Sequence, residues 1–331
     1  MFNAYISGTG FYVPPKTVTN DDLSKHMDTS DEWIRERTGI QERHFVDKGV
    51  GPSDLAIPAV NQALDLAGLS VKDIDFIIFA TSTPDYYIPG SGCLLQDKMG
   101  FDEIGALDIR VQCSGFVYGL SIAEQYIKTG VFKNILLVGA EAQTTAMELN
   151  DNGRDVSVIF GDGAGAVIVS QTKEKKGILS THMHSEGKYL KTLWMEAPAS
   201  NAGMPRISSE DLKAGKQYLK MNGREVFRHA IVRFIEVINE CLEKNNLSIK
   251  DIDMLIPHQA NLRITQMIQK KLGLNDDQVY SNIHKYGNTT AASIPIALAE
   301  AINEKKISNG DKVVLAAFGS GFAWASAVME W

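Results

Sequence analysis

Leu69-Ser70-Val71-Lys72-Asp73-Ile74-Asp75-Phe76-Ile77-Ile78 returns as Leu247-Ser248-Ile249-Lys250-Asp251-Ile252-Asp253-Met254-Leu255-Ile256. Seven of the ten positions are identical and the other three stay apolar. Each copy follows a helix-like segment, residues 55–68 in the first and 225–245 in the second. Each then runs through a strand-like stretch into a polar loop, Thr81-Ser82-Thr83-Pro84-Asp85 or His258-Gln259-Ala260-Asn261. Ten residues alone also fit a chance recurrence of a common helix–loop–strand signal. The matching flanks favour a duplicated α/β half.

Working outward, residues 134–140 and 165–169 in the first half are continuous apolar runs of strand length, as are 312–318 and 324–329 in the second. Such runs read as strands covered on both faces. The polar stretch 170–177 falls between the halves, dividing the chain into residues 1–175 and 176–331. Pro58 interrupts the first helical segment and should kink it or shift its start.

Composition narrows the classes. A chain of 331 residues, 44% hydrophobic and 22% charged, has the make-up of a soluble globular protein. It is long enough for two domains or two intimately packed halves. Three cysteines, an odd number, argue against a disulfide framework and for a reducing compartment. The first eight residues lack the basic and apolar regions of a secretory signal, and no apolar run approaches a membrane span. The expectation is a cytoplasmic protein without a membrane partner. The net charge of −7 gives no general reason to expect nucleic acid. The seven histidines form no ligand-spaced cluster with cysteines or carboxylates, so no metal site is expected.

Three polar residues follow strand-like runs. Cys113 lies where the strand pattern of Asp108-Ile109-Arg110-Val111-Gln112 gives way to helical spacing, with Phe116, Leu120, Ala123 and Ile127 on one face and Gly130 as a stop. A thiol in a first helical turn meets the positive end of the dipole and unpaired N–H groups, which favour thiolate. A lone cysteine is otherwise a small buried hydrophobe. His258 follows a strand ending in Pro257, where a hydrogen-bonded structural role is the plain alternative. Asn288 lies in Tyr286-Gly287-Asn288-Thr289, which also suits a turn or a helix cap. Gly319-Ser320-Gly321 fits a tight hairpin, or a close backbone approach offering an N–H to an oxyanion. Together these parts suit acyl transfer through a thioester. Cys113 attacks, N–H groups near Cys113 and Gly321 hold the oxyanion, and His258 and Asn288 donate to an enolate oxygen as carbon dioxide leaves.

These residues and their surroundings resemble the beta-ketoacyl-acyl-carrier-protein synthase III family, a group of initiating condensing enzymes. The resemblance rests on Cys113-Ser114-Gly115-Phe116, on Phe160-Gly161-Asp162-Gly163-Ala164-Gly165-Ala166 and on His258-Gln259-Ala260-Asn261. It continues through Gly287-Asn288-Thr289-Thr290-Ala291-Ala292-Ser293-Ile294-Pro295 and Gly319-Ser320-Gly321-Phe322-Ala323-Trp324, in that order from near Gly8 to the C-terminus. It implies an α/β thiolase-like fold of five αβαβα layers built from two duplicated halves, with Cys113, His258 and Asn288 as catalytic residues. The implied reaction loads an acyl group from acyl-CoA on Cys113 and condenses it with malonyl-acyl carrier protein, releasing carbon dioxide and CoA. No cofactor beyond these substrates is implied, and a homodimer is.

The resemblance also implies that Trp33, Arg37 and Arg154 meet the adenine end of CoA, as an indole face and guanidinium groups can. It places Asn222 and Gly223 along the pantetheine tunnel and Arg263 against the acidic carrier protein. The loop around Tyr86, Tyr87 and Ile88 matches the gate of the acyl pocket. The chain departs from the family at Gln112, where alanine is common, and at Ile88, where phenylalanine is often found before proline. These departures point to a longer, branched or aryl primer. Two alternatives stay open: a related enzyme of a specialised lipid or polyketide pathway, and a non-catalytic carrier-binding partner.

Overall fold

The computed structural model describes residues 2–331. Strands β1 (Asn3–Tyr12), β2 (Phe76–Ala80), β3 (Gly105–Ile109), β4 (Asn134–Glu141) and β5 (Gly163–Thr172) form one sheet in the order β1-β5-β4-β2-β3. Strands β6 (Gly177–Ser185), β7 (Met254–Pro257), β8 (Lys312–Gly319) and β9 (Ala323–Glu330) form a second in the order β6-β9-β8-β7. The second order repeats the first strand for strand, and so does its sense. β1–β5 and β6–β9 are antiparallel, as are β5–β4 and β9–β8, whereas β4–β2 and β8–β7 are parallel. The first sheet carries β3 as an additional edge strand.

The repeated decapeptide does the same work in both halves. The backbone N–H of Ser70 donates to Asp73 at 2.8 Å and that of Ser248 to Asp251 at 2.7 Å, closing a short turn before each strand. Asp75 then accepts from the backbone N–H groups of Lys133 and Asn134, and Asp253 from that of Lys312. Each aspartate holds the start of the neighbouring strand, which aligns β2 with β4 and β7 with β8. The echo is thus a register device used twice.

Helices α1 (Asp31–Thr38), α2 (Pro52–Ala67), α3 (Ser91–Met99), α4 (Gly115–Lys128), α5 (Gly223–Lys244), α6 (Leu262–Leu272) and α7 (Ser293–Asn303) complete the layers. Between the sheets lie α4 and α7. Phe116, Leu120 and Ile127 of α4 and Ile294 and Leu298 of α7 share one core with Leu137 and Val167 of the first sheet and Leu315 and Ala327 of the second. The outer face of the first sheet packs on α2 through Leu55, Val60 and Ala63, and that of the second on α5 through Phe234, Val237 and Ile238. This is the expected αβαβα arrangement. With both faces of each sheet covered, the strands need unbroken apolar runs, as the sequence has. Burying one such leucine or isoleucine contributes about 1.5–3 kcal/mol.

Pro58 neither breaks nor delays its helix. α2 starts earlier, with Pro52 in its first turn and the Asp54 carboxylate accepting from the Gly51 N–H, and runs through Pro58 to Ala67. A proline costs one internal hydrogen bond, and the packing of Leu55, Val60 and Ala63 on the sheet carries the helix across it. No helix among the described residues is long and apolar enough to cross a membrane.

Candidate active site

Cys113 sits in a tight turn, residues Gln112–Ser114, between β3 and the start of α4. Gln112 takes φ +43°, the left-handed region that side-chain-bearing residues rarely enter. The turn is tied to the other half of the molecule, because Ser114 Oγ donates to the Ala323 carbonyl at 2.9 Å. Gly319, at the end of β8, backs onto the nucleophile so closely that a Cβ there would lie 2.8 Å from the sulfur. Only glycine fits.

The expectation of a favoured thiolate is corrected by the surroundings of the sulfur. Burial pushes the Cys113 thiol up to about 12, and the Glu141 carboxylate from β4 adds repulsion. The backbone N–H groups of Cys113 and Ser320 oppose this shift without overcoming it. Helix-end partial charges are outweighed here by removal from water. Cys113 should therefore alkylate slowly near neutrality, its rate rising about tenfold per pH unit without a plateau below pH 10. Iodoacetamide labelling followed by intact mass checks this, and a plateau near pH 8 would refute it.

His258 follows β7 and extends its pairing, its backbone N–H donating to Ala316 at 2.8 Å. Its Nδ1 lies 2.5 Å from Ser293 Oγ, at the start of α7. The Ser293 oxygen also accepts from the Gln259 N–H at 3.3 Å. Burial pulls the imidazole down to about 3, so the ring is neutral at physiological pH. Its Nε2 is buried and has no hydrogen-bond partner among the described residues. Because a hydroxyl both donates and accepts, Ser293 is compatible with either ring tautomer.

Asn288 follows Gly287, whose φ of +65° turns the chain back toward Ile159. Its Oδ1 accepts from the Thr290 N–H at 2.9 Å, which leaves the amide NH2 to donate elsewhere. Cys113, His258 and Asn288 come together at the buried end of a cavity of about 570 Å³. Trp33, Arg37 and Arg263 line its exposed end.

The remaining expected residues divide. Arg37 and Arg154 place guanidinium groups 4.4 and 5.0 Å from the Trp33 ring centroid. Gly223 lines the cavity, whereas Asn222 does not and instead caps α5 by accepting from the Glu225 N–H. Gly321 lines neither cavity that reaches Cys113, and the N–H directed at the sulfur belongs to Ser320. Tyr86, Tyr87 and Ile88 are all exposed. Of these only Tyr87 lines the second cavity, and the Arg206 guanidinium, outside that lining, lies 4.5 Å from its ring centroid.

Sequence reading passed over Ser293 and Glu141. Ser293 had a signal, standing at the end of the Asn288–Ala292 stretch beside a helix start. Glu141 had none: a strand-end glutamate looks like any other until the fold closes over it. Its oxygens accept from Ser82 and Thr83, and burial holds its carboxyl up to about 7.

Comparison with known proteins places this geometry in a lineage. Residues 107–187 match the 3-oxoacyl-[acyl-carrier-protein] synthase III family and residues 242–331 match its C-terminal region. The chain is 47% identical over 328 residues to beta-ketoacyl-[acyl-carrier-protein] synthase III of Clostridioides difficile, covering 99% of this chain and 98% of that one. Its fold matches the crystal structure of 3-oxoacyl-[acyl-carrier-protein] synthase III from Aquifex aeolicus with a TM-score of 0.90 at 41% identity, covering 99% and 100% of the two chains. A priming beta-ketosynthase from the R1128 polyketide pathway matches with a TM-score of 0.92 at 29% identity, covering 99% and 96%. Full-length identity at this level, joined to the site above, shows that the chain belongs to the beta-ketoacyl-acyl-carrier-protein synthase III family, condensing acyltransferases of fatty acid biosynthesis.

Proposed function

We propose that Cys113 carries the acyl group in this condensation and that His258 and Asn288 divide the remaining work. The observation that supports this most directly is the unpartnered Nε2 of a neutral His258, at the same buried cavity end as the Cys113 thiol and the Asn288 amide. In the tautomer where Nδ1–H donates to Ser293, Nε2 is a lone-pair acceptor for the thiol proton. The sulfur attacks the acyl-CoA carbonyl, and the Cys113 and Ser320 N–H groups hold the oxyanion. The CoA thiolate then leaves and takes up the proton. In the other tautomer Ser293 donates to Nδ1, and Nε2–H joins the Asn288 amide as a pair of donors. When the malonyl carbon–carboxylate bond breaks, its electron pair passes into an enolate on the carrier thioester, held by those two donors. The enolate carbon bonds to the acyl carbonyl carbon, and Cys113 leaves as a thiolate that takes up a proton from solvent. The products are beta-ketoacyl carrier protein, carbon dioxide and CoA.

The exposed end of the cavity suits the two pantetheine-bearing substrates. Trp33 with Arg37 and Arg154 fits an adenine and its phosphates, and Gly223 leaves room for the arm. Arg263 and the Lys270–Lys271 end of α6 offer cations to an acidic carrier protein on an otherwise acidic chain. A homodimer accounts for β3, an edge strand left open beside the exposed Tyr86, Tyr87 and Ile88. A priming role in a specialised pathway is the second reading, favoured by Gln112 at the nucleophile and the likeness to the R1128 enzyme. A non-turnover binding role fits poorly with three intact catalytic groups.

Mixing the protein with an acyl-CoA should release one CoA per Cys113 in a burst, and adding malonyl-acyl carrier protein should then yield beta-ketoacyl carrier protein and carbon dioxide. A burst with no condensation product would overturn the condensing role of His258 and Asn288. No burst with any acyl-CoA would remove Cys113 as the acyl carrier.

A further inference from the structure

Cys113 is shared by a second cavity, of about 510 Å³, between the Tyr87 loop and the stretch from Leu193 to Asn201. Its lining is unequal in charge. Arg110 is the one cation there, and no aspartate or glutamate lines it among the described residues. Arg110 makes no ion pair and no side-chain hydrogen bond among the described residues. Glu141 is spent on the Thr81, Ser82 and Thr83 donors and does not reach the lining. Gln143 does reach it. Its Oε1 accepts from Ser82 and Thr290, both at 3.4 Å, which leaves its NH2 free to donate, and Gln112 adds a second amide.

Those donors need an acceptor. Arg110 is exposed and keeps its water, but an alkyl chain filling this cavity would cover the buried Gln143 amide and the half-buried Gln112 amide and offer them nothing. A carboxylate matches the planar fork of an arginine and forms the stronger, charge-assisted bonds. Arg110 stands three residues before Cys113, so their Cα atoms are at most about 11 Å apart. A short chain anchored on the sulfur spans such a distance together with the arginine side chain.

We propose that this cavity selects a short acyl group ending in a carboxylate, which Arg110 pairs and the Gln143 amide supports. The inference rests on Cys113 being the acylated residue and names the acyl class that it accepts. It is tested with chain-matched thioesters, succinyl-CoA against butyryl-CoA and glutaryl-CoA against valeryl-CoA, by weighing the Cys113 adduct over time. The carboxylated member of each pair should acylate at least tenfold faster. Arg110→Leu should lower the carboxylated-to-alkyl rate ratio at least tenfold, and Arg110→Lys should give an intermediate ratio. Equal or faster acylation by butyryl-CoA, or an Arg110→Leu effect equal on both members, overturns the proposal. Acylation by alkyl thioesters alone removes this inference and leaves the acyl-carrier role of Cys113 standing. Acylation by none of the four overturns this inference, and the acyl-carrier role falls with it when no other acyl-CoA acylates Cys113 either.

Discussion

A Cys113→Ala protein forms no acyl-enzyme with any acyl-CoA, and its condensation rate falls by at least three orders of magnitude. In the proposed reaction the sulfur forms the acyl-enzyme thioester and later leaves from it, and nothing else buried in the cavity is a nucleophile of comparable strength. The fold tolerates the change, because the side chain is small and the turn is tied by the Ser114–Ala323 hydrogen bond rather than by the thiol. His258 and Asn288 remain in place, so the variant should still decarboxylate malonyl-acyl carrier protein, turning it into acetyl carrier protein without a condensation product. Intact mass of the protein after exposure to acyl-CoA, with release of labelled carbon dioxide measured in parallel, checks both halves. Acylation at another residue with condensation preserved would show the wrong nucleophile.

The second large effect separates His258 from Asn288. Removing one preorganised donor to a developing oxyanion costs about 10²–10³ in rate. Asn288→Ala should lose that much in condensation and acylate within a few fold of the parent. His258→Ala should lose both steps, because Nε2 also takes the proton of a thiol held up to about 12. The sign of the pH response follows from that value. Raising the pH supplies thiolate without a base, so acylation by His258→Ala should recover toward the parent rate as pH rises from 7 to 10. Condensation should not recover, since no proton acceptor replaces a lost donor. Single-turnover acylation and steady-state condensation at several pH values distinguish these outcomes. Acylation by His258→Ala at the parent rate near neutrality would exclude the proton-acceptor role, and an equal loss of both steps in Asn288→Ala would exclude the donor assignment.

Ser293 and Ser320 show where reading residues in order stops. Both stand within quoted motifs, yet their work is to touch a side chain that another part of the chain delivers. Ser293 meets His258 across the seam between α7 and the end of β7. Ser320 turns its N–H to a sulfur carried by the other half, whereas its neighbour Gly321, the expected donor, takes φ +136° and stays out of both cavities. Spacing locates such a glycine-rich turn, and only its dihedral angles say which N–H faces inward.

The duplicated halves, their strands and the three side chains that meet in the first cavity were legible in the residues themselves. Strand and helix periodicity and the Ser70–Asp73 and Ser248–Asp251 turns are written in neighbours a few positions apart, and the motif order carried the family. Tertiary structure alone decided the state of those side chains. Desolvation and the distant Glu141 raise the Cys113 thiol, burial keeps His258 neutral, and the meeting of Arg110, Gln143 and Tyr87 forms a second cavity. Ionisation and cavity shape depend on what lies within a few ångströms in space, and here those neighbours come from strands and loops far apart in the chain.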